Sequence, residues 1–111
     1  MSYSKYRNKK IVYDGISFDS KRELARYKQL KLLERANEIT NLELQKRFIL
    51  QDGFRFNDKA IRPITYVADF CYYDVKKKCY IVEDTKGHRT TDYKIKKKMF
   101  IKRYGMDIIE I

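Results

Sequence analysis

The stretch from Ile64 to Gly87 reads ITYVADFCYYDVKKKCYIVEDTKG and decides the fold. Its two arms flank a lysine-rich turn and are rich in aromatic and β-branched residues, which predicts a β-hairpin in a well-covered sheet. If the turn is centred between Lys76 and Lys77, Asp69 on the first arm lies directly opposite Asp84 on the second. Two acids therefore occupy strand positions where apolar residues are expected.

Opposed carboxylates on paired strands, with Cβ atoms only ~5 Å apart, repel each other unless a positive charge lies between them. Lys86 shares the face of Asp84 by strand alternation, and a divalent cation would neutralise the pair more completely. The pattern predicts a metal-dependent phosphodiester cleavage site. In it Asp69 and Asp84 hold Mg²⁺, for which Mn²⁺ substitutes, and Lys86 orients the attacking water or stabilises developing charge.

Two alternatives apply to this pair of acids. They could be solvent-exposed residues at strand ends, with Lys86 as an ordinary charge partner. A one-residue slip in the hairpin would instead set Glu83 or Thr85 opposite Asp69, which leaves open whether Glu83 or Asp84 is the second ligand.

The chain has 111 residues, which is enough for one domain with its own core. Its 26 basic and 15 acidic residues give a net charge of +11, so a polyanionic partner is expected. Nucleic acid is preferred over a membrane surface, because the chain has no long apolar run or signal peptide. Cys71, Cys79 and the single His88 cannot build a zinc site or a histidine-metal nuclease. The cysteines are expected to be reduced and partly buried, in a cytoplasmic protein.

The first ten residues form a basic arm that either frays or lies along phosphates through Lys5, Arg7, Lys9 and Lys10. Asp14-Gly15 then predicts a tight hairpin with a type I′ turn. A helix over residues 21–36 follows, with Ser20 as N-cap and Glu23 three residues on, the spacing of a capping box.

On the helical wheel, Glu23 falls on the stripe that faces the core, together with Tyr27, Leu30 and Glu34. Glu23 is therefore either a cap partner only or a third carboxylate that completes the metal or water site. The alternation in residues 42–50 predicts a strand, whose Gln45 and Arg47 either reach the site or form a solvated face. Residues 51–62 are expected to form a loop or a twisted edge hairpin.

After Lys86, the flexible, basic segment 87–92 contains the start of a second helix at Thr90 or Thr91, and this helix runs to about Arg103 and ends before Gly105. His88 and Arg89 lie on the rim of the expected site. The helix lysines, which either contact DNA or form a solvated face, include Lys94, Lys97 and Lys98. A short strand over residues 108–111 closes the chain.

The order of a helix with Glu, a strand with Asp, a strand with Asp-x-Lys, a helix and a strand resembles the PD-(D/E)XK nuclease superfamily. The blocks FDSKRE (18–23), ITYVADF (64–70) and VEDTKG (82–87) more closely resemble a family of small phage-encoded proteins in that superfamily, related to endonuclease I-type Holliday junction resolvases. Ala68 stands where the superfamily name has proline. The resemblance implies Asp69 and Asp84 as metal ligands, Lys86 as the catalytic lysine and Glu23 as the helix acid.

The sequence thus predicts a single α/β domain over residues 1–111, with a mixed central sheet flanked by helices. The expected function is a Mg²⁺-dependent DNA endonuclease, acting on branched DNA such as Holliday junctions, as a homodimer in the cytoplasm of a phage-infected host. The alternative is a DNA-binding or regulatory protein that keeps the nuclease fold without catalysis.

Overall fold

The computed structural model describes residues 10–85 and 89–111, and its framework is a four-stranded sheet with one helix against each face. The elements are β1 (Ile11–Tyr13), β2 (Ile16–Phe18), α1 (Lys21–Arg35), β3 (Ile39–Gln51), β4 (Phe54–Phe56), β5 (Lys59–Ile61), β6 (Ile64–Asp74), β7 (Cys79–Asp84), α2 (Thr91–Tyr104) and β8 (Ile109–Glu110). The sheet order is β3-β6-β7-β8; β7 and β8 are parallel, and the other neighbours are antiparallel. The predicted single α/β domain with a mixed sheet and two helices is confirmed.

The central hairpin of β6 and β7 has the predicted register. Its pairs run from Asp74↔Cys79 at the turn to Phe70↔Glu83. Asp74 closes the turn, because its carboxylate accepts the Lys77 N–H at 2.8 Å. The one-residue slip considered from sequence does not occur, and Asp69 and Asp84 follow directly after the last pair.

Helix α1 begins where the capping pattern predicts. The Ser20 Oγ accepts the Glu23 N–H at 3.1 Å, and Asn37, just beyond the helix, adopts a left-handed φ of 61°. Its buried residues are Glu23, Tyr27 and Leu30. Three of the four residues of the predicted core-facing stripe, including Glu23, are therefore buried, and Glu34 near the end of the helix is half-buried.

Two apolar clusters fill the faces of the sheet. On the α1 face the buried residues are Phe18, Tyr27, Leu30, Ile39, Phe70 and Tyr72. On the α2 face they are Phe48, Leu50, Tyr66, Ala68, Cys71, Val82, Tyr93, Phe100 and Ile108. Along β6, the even-numbered residues up to Ala68 pack in the cluster on the α2 face, and Phe70 and Tyr72 pack in the cluster on the α1 face. Asp69 lies at this changeover, so the strand is irregular where the candidate acid occurs.

The strand predicted over residues 42–50 extends from Ile39 to Gln51 as β3, and the residues after it form β4 and β5. Gln51 pairs with Ile64 and Phe54 pairs with Ile61, which is the register expected if β4 and β5 continue β3 and β6 without a slip. Asn57 and Asp58 both have positive φ, 48° and 63°, as a type I′ turn requires. We call residues 54–61 the ribbon.

One sequence expectation, that both cysteines are partly buried, needs correction. Cys71 is buried, and burial raises the pKa of its thiol to about 11, but Cys79 is exposed because it begins β7 beside the solvated turn. Ile95 on α2 is also exposed, and no other described element covers it. Neither helix of the described residues is long and apolar enough to cross a membrane.

The neighbouring residues Phe100 and Ile101 test the burial pattern of α2. Phe100 is fully buried, whereas Ile101 is 42% exposed. Phe100→Ala should lower the free energy of unfolding by about 3–5 kcal/mol, because it leaves a cavity in the core. Ile101→Ala should cost about 1 kcal/mol or less. Urea titration measures both, and equal losses would show that α2 is packed differently.

Candidate functional site

Four acids are buried near the end of the β6–β7 pairing: Glu23, Asp69, Glu83 and Asp84, with exposed fractions of 4%, 9%, 1% and 0%. Acids of this kind are almost never fully buried without partners, because removing a carboxylate from water is costly. The partners of each acid therefore indicate what it does in the protein.

Asp69 holds the adjacent strand through a single oxygen. Its Oδ2 accepts the Thr85 backbone N–H at 2.7 Å and the Thr85 hydroxyl at 2.8 Å. The β6–β7 backbone pairing ends at Phe70↔Glu83, so at this point a side chain takes a main-chain donor of β7. Within residues 10–85 and 89–111, Oδ1 accepts no hydrogen bond, and this oxygen is suited to bind a cation.

Asp84 is held from β6 and from β8. Its Oδ2 accepts the Tyr66 hydroxyl at 2.7 Å, and its backbone carbonyl accepts the Ile111 N–H at 2.9 Å. Burial, and then the bond to Asp84, raises the pKa of Tyr66 well above its usual value. The hydroxyl therefore stays protonated and acts as a fixed donor to this carboxylate.

Glu83 points to the opposite face, where it forms an ion pair with α1. Arg26 donates from Nε to Oε1 at 2.8 Å and from Nη2 to Oε2 at 2.6 Å, and the Tyr72 hydroxyl also donates to Oε2. Both oxygens are thus engaged in a bidentate pair. Of the two candidate second ligands, the structure therefore favours Asp84 over Glu83.

Glu23 connects α1 to β3. Its Oε1 accepts the Asp19 N–H at 3.0 Å, one residue before the Ser20 amide that a capping box would use, and its Oε2 accepts Gln45 Nε2 at 3.0 Å. Gln45 has a φ of 54° and lies between the pairs Leu44↔Phe70 and Lys46↔Ala68, which places it opposite Asp69. Glu23 is therefore linked to the strand position beside the candidate metal ligand.

The described residues contain no group of three or more His, Cys, Asp or Glu side chains arranged to hold a metal ion. Mg²⁺, however, usually binds one or two carboxylates and completes its shell with substrate phosphates and waters. The donor set fits that mode: Asp69 and Asp84 supply hard oxygens from adjacent strands, and Asp69 Oδ1 is open. Glu23 would act at the rim of such a site.

Four of the predicted DNA-contacting residues line one surface cavity of about 430 Å³ on α2: Arg89, Lys94, Lys97 and Lys98. Two of them are also engaged within the chain. Glu110 accepts from Lys97 at 2.9 Å and pairs with Arg89 at 3.2 Å, and hydrogen bonds from Lys97 and Tyr93 lower the pKa of its carboxyl to about 2. Lys94 and Lys98 are exposed.

The remaining predicted residues are distributed differently. Lys10 is exposed and forms an ion pair with Asp19. Lys5, Arg7, Lys9, Lys86 and His88 lie outside the described residues.

Sequence reasoning missed three residues that position the acids: Arg26, Tyr66 and Thr85. Arg26 lies one helical turn after Glu23 and therefore on the same side of α1. This position indicated from sequence that Arg26 could pair with an acid on the strand that faces the helix. Tyr66 and Thr85 gave no such signal, because their roles depend on which strand lies beside them.

The Arg26–Glu83 pair should contribute much more to stability than a surface pair on the same helix. Arg26→Ala leaves Glu83 buried without its cation, so unfolding should become about 3 kcal/mol easier. Lys31→Ala removes the exposed pair with Glu34 and should cost no more than about 0.5 kcal/mol. Chemical denaturation of both variants checks the contrast, which an equally small effect of Arg26→Ala would contradict.

Comparison with known proteins places the chain in a family. The model of a family described as a protein of unknown function, DUF1064, matches residues 3–109. No curated protein matched the chain. No solved structure matched it either. The resemblance to PD-(D/E)XK nucleases therefore stays a prediction. Because the match covers nearly the whole sequence, the chain belongs to the DUF1064 family.

Proposed function

We propose that this protein is a Mg²⁺-dependent DNA endonuclease that hydrolyses phosphodiester bonds, with branched DNA as its expected substrate. The observation that carries the proposal is the hairpin register, which brings Asp69, in the middle of β6, beside Asp84 at the end of β7 in a buried setting. Two carboxylates opposed on adjacent strands repel each other unless a positive charge lies between them. A metal site explains why both occur.

In this proposal Asp69 Oδ1 and Asp84 would hold the metal, and bound Mg²⁺ would polarise the scissile phosphate and make a water more acidic. Thr85 orients Asp69 through two hydrogen bonds to Oδ2, and Tyr66 orients Asp84 through one. Hydrogen-bond donors that hold a metal-binding carboxylate in this way keep its oxygens in place and tune their basicity.

Glu23 and Lys86 complete the proposed machinery. Glu23 is held by Gln45 and by the Asp19 amide, and it would orient or deprotonate the attacking water. Lys86 follows Asp84 by two residues in the sequence and would stabilise the charge that develops on the phosphate. Water adds across the P–O bond and leaves one phosphate end and one hydroxyl end.

The basic surface of α2 supports DNA as the substrate. Lys94 and Lys98 are exposed beside Arg89 on one cavity, and the whole chain carries a net charge of +11. Phosphate contacts of this kind position a nucleic acid without reading its sequence. Cutting both strands of a junction would further require two active sites, for which a homodimer is expected.

The deciding experiment incubates the protein with linear duplex, nicked, single-stranded and four-way-junction DNA, with Mg²⁺, with Mn²⁺ and with EDTA. Metal-dependent products support an endonuclease, and their distribution names the substrate. Binding without products under every condition would support the alternative, a DNA-binding protein that keeps this fold.

Asp69→Asn and Asp84→Asn should each reduce cleavage by a factor on the order of 10² or more, since each removes a proposed metal ligand. DNA binding should be unchanged or tighter, because a negative charge near phosphate is lost. Mg²⁺ should raise the melting temperature of wild type more than that of either variant. Cleavage assays, titrations in EDTA and thermal melts provide the three readouts.

Asp74→Asn is the matched control, because Asp74 lies on β6 like Asp69 but at the turn end of the strand, where it caps the hairpin turn. It should cleave DNA like wild type. Loss of folding in the Asp69 and Asp84 variants, or equal loss of cleavage in the Asp74 variant, would contradict the proposed site.

Glu23→Gln separates the capping and catalytic roles of this acid. Glutamine can still accept the Asp19 N–H, so stability should change little. It cannot carry a full negative charge or take a proton from water, so cleavage should fall by about 10²-fold or more. Ser20→Ala is the control; it should lower stability by ~1 kcal/mol and leave the rate nearly unchanged. A wild-type rate for Glu23→Gln would reduce Glu23 to a structural residue.

A further inference from the structure

The ribbon exposes aromatic side chains that no described part of the chain covers. Phe54 and Phe56 are 49% and 63% exposed, and Ile61 is 38% exposed. Every residue of β4 and β5 is exposed. Exposed apolar side chains grouped on one element of a folded domain indicate a binding role.

The register of the ribbon sorts its residues by face. Phe54 pairs with Ile61, and Phe56 pairs with Lys59, so both rings share one face with a cation at the tip. Arg55 lies on the other face and donates to the Asp58 carbonyl at 2.9 Å, which closes the turn. The rings are therefore presented by a defined scaffold rather than by a loose loop.

We propose that the ribbon is a second DNA contact, where Phe54 and Phe56 stack on unpaired or unstacked bases and Lys59 contacts the adjacent phosphate. This inference rests on the proposed nuclease function for its choice of DNA and extends it to the class of substrate. Exposed aromatic rings beside basic side chains are the means by which proteins hold unpaired bases. A paired duplex hides its base faces, so the ribbon selects single-stranded segments and branch points.

Charge favours DNA over a second copy of the chain as the occupant. Lys59 lies on the same face as the exposed rings, so two ribbons packed face to face would bring these like charges together and repel each other. A polyanion such as DNA is attracted by the same positive charges. Lys59 beside Phe56 matches the alternation of phosphate and base along a single strand.

The distance of the ribbon from the candidate site fits one DNA molecule that contacts both. Because β5 and β6 are consecutive, Lys59 and Asp69 are joined by extended chain, which rises roughly 3.3 Å per residue and so spans at most about 33 Å. One helical turn of duplex DNA is about 34 Å. A DNA substrate that reaches the acids therefore needs to extend no more than about one helical turn to bring an unstacked segment to the ribbon.

The experiment measures DNA affinity in EDTA, where no cleavage occurs, so that its outcome is independent of catalysis. The probes are a labelled single strand with 2-aminopurine, a blunt duplex and a four-way junction. Phe54→Leu/Phe56→Leu should weaken single-strand and junction binding by about tenfold or more, because leucine keeps apolar bulk but lacks a ring face. Phe54→Tyr/Phe56→Tyr should restore binding and the 2-aminopurine fluorescence change.

Salt dependence separates stacking from charge. The leucine variant should lose affinity by the same factor at every salt concentration, whereas Lys59→Ala should flatten the dependence on salt. Leu32→Ala is the matched control, because Leu32 is 61% exposed on α1, and it should bind every probe like wild type. Melting temperatures of all variants should match wild type.

Three results would overturn the inference: unchanged affinity of the leucine variant, an equal loss on blunt duplex, or a loss of self-association in ultracentrifugation with DNA affinity per protomer unchanged. The last would assign the ribbon to a contact between copies of the chain. If wild type cleaves DNA and the leucine variant binds DNA normally, the ribbon contact is refuted and the nuclease proposal is not. If DNA binding depends on the rings but wild type cleaves no DNA, the nuclease proposal is refuted and the ribbon contact is not.

Discussion

The burial of four carboxylates near the junction of β6 and β7 is the constraint on which the rest of this structure depends. Each acid lies at a strand or helix position that faces inward, so each needs hydrogen bonds from a different element. Glu83 receives them from α1 and β6, and Asp84 from β6 and β8. The acids therefore connect the elements of the domain to one another, which couples the geometry of the candidate site to the fold.

The partners divide the acids into two kinds. Glu83 is neutralised by a bidentate arginine, an arrangement that stabilises a fixed charge and leaves no oxygen for a ligand. Asp69 is oriented by a hydroxyl and an amide, which hold the carboxylate without cancelling its charge, and Tyr66 supplies a neutral donor to Asp84. A pair of acids held in this way is suited to bind a cation, and the proposed endonuclease uses that difference.

The paired strands β3 and β6, with the ribbon between them in the sequence, carry two separate surfaces of the protein. Near the middle of these strands are Gln45 and Asp69, and at their end is the ribbon with Phe54 and Phe56. Gly53 lies between the two parts, where an added Cβ would come within 2.9 Å of the Ile61 carbonyl oxygen, so the backbones approach closely at this joint. The ribbon and Asp69 are thus connected through consecutive strands of the chain.

The sequence by itself determined the features that depend on local pattern. The register of β6 and β7 follows from the length of the turn, the start of α1 from Ser20 and Glu23, and the inward direction of Glu23 from helical periodicity. These are interactions among residues near one another in the chain, and their geometry leaves few alternatives. The fold class followed from the order of the elements.

Only the tertiary structure decided which acid has which partner. Arg26 reaches Glu83, Tyr66 reaches Asp84 and Gln45 reaches Glu23, and spacing along the chain does not fix which acid each of them contacts. It also decided that residues 54–61 project as a paired ribbon with exposed rings instead of folding back as a loop. The physical reason is that hydrogen bonds between distant segments depend on how helices and strands pack, and packing is a property of the whole chain.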